Sequence, residues 1–335
     1  MLRKPSYILI IIALVVLLNG CAPQSVQHRD TRLLMDTISS IVIHGDVDPQ
    51  LLDDAFALVE ELEGLLSITI EGSDVWRINN AGGEPVQVDD RTIEVIKAGL
   101  EFAELSDGMF DITIGRVSQL WNFGTVDSGA QALQSRVPVD TAIKKALATV
   151  SCGLVNISGN TVQLTNPDAW IDLGAVAKGF IADYVAEFLI EQGVTGAVIN
   201  LGGDVVTVGN RQDGGSWQIA LQSPFDDTDE WIGIVEASNV AIVASGIYER
   251  QFEEDGIVYH HILDPTTGMP VITDVVSATI ISENAIIGEG LSTIAVLLGS
   301  ERAIELFEQV SGFIGAVIIL DSEEVLTVGD VEFAR

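Results

Sequence analysis

IDLGAVAKGF, residues 171–180, reads as a short apolar strand, a tight glycine turn and the opening of a helix that carries one lysine. Asp172 stands near the end of the apolar run, and Gly174 and Gly179 bracket residues 175–178. Without a Cβ, such a turn lets backbone groups come close to a ligand. The free N–H groups of a new helix favour anions, and Lys178 adds a mobile positive charge. The helix behind it is amphipathic, with Phe180, Tyr184, Val185, Phe188 and Leu189 on one side. Taken alone, the same residues also suit an ordinary capped helix with a solvated lysine. The flanking segments have to decide.

Upstream, LLMDTISSIVIHG (33–45) alternates as a strand. PQLLDDAFALVEELEGLLS (49–67) repeats Leu51, Leu52, Ala55, Leu58, Val59, Leu62 and Leu65 at helical spacing, and Gly72 and Ser73 break the pattern. GGEPVQVDD (82–90) is a turn into an extended piece, with Asp89 or Asp90 as the cap of a helix over about 91–105. Residues 106–124 are loop-rich, 125–140 read as an insertion, and a helix covers about 141–147. Ser158, Gly159 and Asn160 join two extended runs as a hairpin. Downstream, TGAVINLGGDVVTVGN (195–210) is strand, Gly-Gly turn, strand, and 217–224, 233–246, 256–265 and 275–282 are further strands. A helix pair over 284–298 and 301–309 precedes a terminal hairpin. Strands, hairpins and helices without strict strand–helix–strand alternation place the chain in the α+β class.

The N-terminus reads as a leader. Arg3 and Lys4 precede an apolar stretch from Tyr7 to Leu18, shorter than a membrane span and suited to a signal sequence. LLNGCAP (17–23) resembles a bacterial lipobox, cut before Cys21 and lipidated on its thiol. The expected organisation is a signal peptide over 1–21, a tether over 22–31 and one domain over 32–335, lipid-anchored to a bacterial membrane and facing the periplasm or the exterior. A plain signal peptide followed by a chance cysteine remains the other reading. Lipidation leaves Cys152 as the free thiol, so the fold stands without an internal disulfide.

Across 335 residues, 47% are apolar, enough for a sizeable core. The 49 acidic against 16 basic residues, net −33, argue against binding nucleic acid by phosphate neutralisation. A polyphosphate ligand is repelled by this charge unless a cation or local lysines intervene.

Three further clusters carry chemistry-bearing side chains. NLGGDV (200–205) is a hairpin turn by itself. SGIYERQFEEDGIVYHHILDPTTGMP (245–270) crowds Ser245, Tyr248, His260, His261, Asp264, Thr266 and Thr267 around strands and a Pro-Gly turn. Adjacent histidines on a strand point to opposite faces, so one of the two at most faces a given site. In NAIIGEGLST (284–293), Glu289 and Thr293 are four apart and share a helix face. A carboxylate over a hydroxyl suits a hard cation; otherwise Thr293 back-bonds to a carbonyl.

In chain order, MDT, WRIN, AGGEPVQV, AELSDGMFDITIG, LWNFG, IDLGAVAKGFIAD, INLGGDV, SGIYER, HHILDPTTGMP and GLSTIAVLLG resemble the flavin transferase (ApbE) family. These are bacterial envelope proteins, often lipoproteins, that move FMN from FAD onto a protein. The resemblance runs from about Met35 to Gly299. It implies a T-fold-related α+β architecture of mixed, largely antiparallel sheets with packed helices, and an FAD cleft between two lobes. It puts Met35, Thr37, Asn79, Asp111 and Thr113 in the flavin pocket and Lys178, Gly202 and Gly203 along the nucleotide. Glu289, Thr293 and the carbonyl of Ala175 would hold Mg²⁺, and His261 would serve as general base. The implied reaction attacks the FMN-side phosphorus of FAD with a Ser or Thr hydroxyl. That hydroxyl belongs to an acceptor, a flavoprotein subunit of an envelope redox complex, and the by-product is AMP. Mg²⁺ would let a pyrophosphate bind to so acidic a protein.

The sequence departs from the family pattern at Asp36, where glycine is usual, at Ile112, where proline is common, and at Glu289, where aspartate is more frequent. Two other readings stay open: an Mg²⁺-dependent FAD diphosphatase and a non-catalytic flavin-binding lipoprotein. DSGAQ (127–131) resembles the acceptor motif of flavinylated partners but lacks its final hydroxyl residue, a coincidence.

Overall fold

An 8-stranded sheet runs through the centre of the molecule. The computed structural model describes residues 27–123, 137–225 and 231–334. Cys21, the leader, the first part of the tether and DSGAQ lie outside the described residues.

The described strands are β1 (Gln27–Leu34), β2 (Thr37–His44), β3 (Val86–Gln87), β4 (Val155–Ser158), β5 (Thr161–Leu164), β6 (Gly196–Leu201), β7 (Asp204–Gly209) and β8 (Trp217–Gln222). They continue with β9 (Trp231–Ala237), β10 (Ala241–Gly246), β11 (Gln251–Glu254), β12 (Ile257–His260), β13 (Val275–Ser282), β14 (Phe313–Leu320), β15 (Val325–Gly329) and β16 (Phe333–Ala334). The described helices are α1 (Gln50–Leu66), α2 (Asp74–Asn80), α3 (Asp90–Leu105), α4 (Gly115–Trp121), α5 (Asp140–Leu147), α6 (Ala177–Glu191), α7 (Ala285–Leu298) and α8 (Ser300–Phe307).

The large sheet has the order β1-β2-β6-β7-β10-β13-β14-β15, antiparallel throughout. Its inner face supplies Ile41, Ile43, Ile199, Val243 and Ile280 to the main core, which α1, α6 and α7 complete. Helix α7 is buried on almost every side and reads as apolar all round for that reason. The outer face meets a small sheet, β16-β9-β8, through Val205, Leu221, Val235, Ile242 and Val317. A separate cluster of Val117, Trp121, Ile143, Ala146 and Leu263 ties α4 and α5 to the β11–β12 hairpin through Phe252 and Tyr259.

Several expectations need correction. The single strand expected over 33–45 is the tip of a hairpin: Met35 (φ 52) and Asp36 (φ 55) form a two-residue turn closed by Leu34↔Thr37. Both central residues of such a turn need positive φ. Aspartate tolerates that region, so it stands where glycine is usual. Residues 27–31, expected in the tether, pair with β2 as an edge strand. Their polar composition is what an edge requires, and it hid the strand. The run 233–246 is not one strand: β9 and β10 lie in different sheets, separated at Asn239 (φ 55). The apolar stretch before Gly174 joins no sheet. It is an extended segment with one parallel bridge, Ile114↔Trp170, and an Asp172 N–H bond of 2.7 Å to the Ile112 carbonyl.

Candidate functional site

That extended segment is pinned by one side chain. The Asn79 amide donates to the Ile171 carbonyl at 2.8 Å and accepts from the Ile171 N–H at 2.8 Å. The chain then turns through Gly174, whose N–H is held by Asp172 Oδ1 at 3.0 Å, and enters α6. A Cβ on Gly179 would lie 2.6 Å from the Ala285 carbonyl oxygen and 2.8 Å from the Ile286 nitrogen. The starts of α6 and α7 therefore touch backbone to backbone. Asp183 completes the junction by accepting from Ala285 N at 2.7 Å and Ile286 N at 3.0 Å.

This junction brings Lys178 to Glu289. The Lys178 ammonium pairs with Glu289 Oε1, and the Gly179 N–H donates to Glu289 Oε2 at 2.8 Å. The ammonium also lies 2.9 Å from Asp204 Oδ2. That oxygen is buried, and the contact lies outside hydrogen-bond geometry, so it has no hydrogen-bond donor. Both carboxylate side chains are 2% exposed and Lys178 27%. Burial pushes both carboxyls up while Lys178 pulls them down. Burial also opposes the charge of Lys178, but Asp204 and Glu289 outweigh it and hold the ammonium protonated. Asp204 was missed in the sequence. Its signal was an acid directly after the Gly-Gly turn, at the start of a strand that buries nearly every residue.

The cluster opens on a cleft of about 1360 Å³, ample for an extended dinucleotide where small-molecule pockets span roughly 300–1,000 Å³. Met35, Asp111, Ala175, Lys178, Gly202, His261, Glu289 and Thr293 line it. Thr37, Asn79, Thr113 and Gly203 support the wall from behind. Thr37 packs on Gly202, where a Cβ would meet its Oγ1 at 2.4 Å. Gly203 N–H bonds Asn200 Oδ1 at 2.9 Å. Thr113, fully buried, donates through N (2.7 Å) and Oγ1 (2.6 Å) to Asp111 Oδ1. Cys152 donates to the same carboxylate through Sγ and N, each at 3.1 Å. That carboxylate is thereby fixed at the cleft wall.

Strand β12 ends at His260, and the two histidines diverge as the strand rule requires. His260 is buried with Nε2 at 3.0 Å from the Val271 carbonyl. His261 is half-buried in the cleft wall, with Nδ1 3.3 Å from the Arg250 carbonyl. A carbonyl can only accept, so Nδ1 carries the hydrogen and Nε2 keeps its lone pair. Burial, with the Arg250 charge adding, pushes this imidazole down to about 4. It is neutral at pH 7.

Among the described residues, no three His, Cys, Asp or Glu side chains are gathered as a ready metal cage. The donors present still suit a hard divalent cation. Two buried carboxylates share one ammonium, one carboxylate oxygen has no hydrogen-bond donor, and Thr293, one helical turn after Glu289, lines the same cleft with its Oγ1 3.3 Å from Ser245 Oγ. Mg²⁺ is commonly held by one or two carboxylates plus substrate phosphates rather than by a full protein cage.

The ApbE family model matches residues 35–318. The chain belongs to the ApbE family. It is 32% identical over 305 residues to an FAD:protein FMN transferase of Vibrio cholerae, covering 90% of each chain. Over 300 residues it is 31% identical to the protein of the same name from Treponema pallidum, covering 85% of this chain and 81% of that one. The flavin transferase ApbE structure from Vibrio cholerae superposes with a TM-score of 0.80 at 28% identity, covering 92% of this chain and 98% of that one. The ApbE protein of Thermotoga maritima gives 0.81 at 31% identity, with 92% and 97% covered. The α+β architecture expected from the sequence is therefore the family's own.

Proposed function

We propose that this chain moves the FMN half of FAD onto a Ser or Thr hydroxyl of an acceptor protein through a phosphoester bond, releasing AMP. ApbE membership and relatives named for that activity support the reading. The observation that carries it is a neutral His261 with a free Nε2 on the same cleft as the buried Lys178–Asp204–Glu289 cluster.

In this mechanism, His261 Nε2 takes the proton of the attacking hydroxyl, and the Arg250 carbonyl holds the ring in the tautomer that can do so. Lys178 sets positive charge against the phosphates from a stem anchored in the first turn of α6. Asp111, held rigid in the cleft wall by Thr113 and Cys152, would border the flavin. Glu289, Thr293 and the Ala175 carbonyl would hold Mg²⁺. When bound, the ion supplies neutralisation of the pyrophosphate and stabilises charge on the departing AMP. The acceptor is a protein of an envelope redox complex. Cys21, by its lipobox context, anchors the chain to the membrane. No helix among the described residues is long and apolar enough to cross one.

The test is mass spectrometry of an acceptor incubated with the chain and FAD, with Mg²⁺ or with chelator. Gain of one FMN on the acceptor in Mg²⁺ alone is expected. Steady AMP release with an unmodified acceptor would convert the assignment to an FAD diphosphatase. No AMP in either condition would leave a flavin-binding protein.

A further inference from the structure

We propose that Asp204 is a positioning residue that retains Lys178 when Mg²⁺ takes Glu289. One divalent ion would thus turn the lysine from the counter-ion of Glu289 into a cation that faces phosphate. The inference rests on the assignment of Glu289 as a metal ligand.

Both oxygens of Glu289 are engaged, one by the Lys178 ammonium and one by the Gly179 N–H. A cation arriving there has to displace one of them or sit beside a like charge. The Gly179 N–H is immobile, because its backbone abuts Ala285 and Ile286 with no room even for a methyl group. The ammonium ends a flexible four-carbon stem that is 27% exposed to the cleft. Lys178 is the partner that moves. Asp204 is placed to keep it: its Oδ2 is already 2.9 Å from Nζ, is buried, and has no hydrogen-bond donor to compete. A small swing of the ammonium converts that contact into a full charge-assisted hydrogen bond. The arrangement also explains two buried carboxylates on one lysine: with the metal absent Lys178 serves both, and with it present each carboxylate has its own cation.

The test is isothermal titration of the purified full chain with Mg²⁺ alone, without FAD, for the native protein, Lys178→Met, Asp204→Asn and the double variant. Removal of the competing ammonium is expected to tighten Mg²⁺ binding at least tenfold in Lys178→Met. Asp204→Asn should weaken it severalfold, because the lysine then has Glu289 alone. Adding Asp204→Asn to Lys178→Met should change little, since the lysine it acts through is gone. Equal or weaker binding in Lys178→Met overturns the exchange. An equal loss from Asp204→Asn with and without Lys178 overturns the positioning role and makes Asp204 a ligand. If Lys178→Met fails to fold with two unpaired carboxylates, the double variant, which removes one charge of each sign, decides: binding no tighter than in Asp204→Asn refutes the exchange. Absence of Mg²⁺ binding in every form removes the metal assignment itself, and this proposal with it.

Discussion

Asn79→Ala separates two roles that the family resemblance and the structure assign differently. The resemblance puts Asn79 in the flavin pocket, whereas its amide is spent on both backbone groups of Ile171, each bond at 2.8 Å. Asn79 is 5% exposed and Ile171 fully buried, so water cannot replace the amide. Each stranded N–H or C=O costs about 1–3 kcal/mol. The pair together costs roughly 2–6 kcal/mol, a large share of a native stability of about 5–15 kcal/mol. The loss falls on the segment that feeds the Ala175 turn and Lys178, so FAD affinity should fall as well, as a consequence of disorder in the wall. Urea unfolding followed by tryptophan fluorescence gives the stability, and titration with FAD gives the affinity. A stability loss below about 1 kcal/mol, with FAD affinity lost, would refute the clamp and return Asn79 to the pocket. Asn79→Asp should be intermediate, because it keeps an acceptor for the Ile171 N–H but sets a carboxylate against the carbonyl.

Gly179→Ala should cost about 1–3 kcal/mol by overpacking and, by displacing Lys178, lower transfer on the order of 100-fold; thermal denaturation and acceptor labelling measure the two. In nitrogen-detected NMR, His261 should show the Nδ1–H tautomer and stay neutral down to pH 5, titrating near its depressed value of about 4; titration at the usual 6.5 contradicts the assignment. Chelation should abolish transfer, and re-addition of Mg²⁺ at 100 times its Kd should restore it with about 2.7 kcal/mol of added stability. Asp183, which burial pushes from 3.8 up to about 6, is disfavoured as an anion in the folded state. Its raised value means that native stability is lost as pH rises from about 4 through 6, so Asp183→Asn, which strands one of the two α7 N–H groups that Asp183 accepts, should be less stable than the native chain at pH 4 and narrow that deficit in denaturation midpoints as pH rises through 6.

What the sequence made legible was local. Helices α1 and α6 show in the sequence through apolar spacing, and α3 through the Asp89 cap, which bonds the Arg91 N–H at 2.9 Å. The Gly-Gly turn between β6 and β7 has φ of 65 and 102, as its composition requires. Partnerships across long stretches of chain were not legible. Neither the spacing of Glu289 and Thr293 nor the position of Lys178 reveals that Glu289 spends both oxygens on α6, 110 residues upstream for the Gly179 bond. Asp204 looked like a strand residue after a turn because nothing local distinguishes a buried acid from a solvated one. Strand β1 was hidden by the opposite effect. Its edge position lets Gln27, Arg29 and Thr31 face solvent, so its composition matches that of a tether.

The charge of −33 excludes less than its size suggests, because the relevant field is local. At physiological ionic strength, charges more than about 8 Å apart across solvent are largely screened, whereas the interior cluster is not. Several surface arginines are committed to acids: Arg32 to Asp30 and Asp53, Arg77 to Asp74, Arg91 to Asp89 and Glu61, Arg211 to Asp213. Lys178 is committed as well, to two buried carboxylates. A dianionic pyrophosphate entering this cleft therefore meets Arg250 and the exposed edge of Lys178, with the negative charge of Asp204 and Glu289 directly behind. The lysine is spent on these two acids and cannot serve the phosphates while it serves both. An additional cation has to enter the cluster for the site to attract a phosphate, and the oxygen donors around Glu289 and Thr293 are of the kind that a hard divalent ion selects.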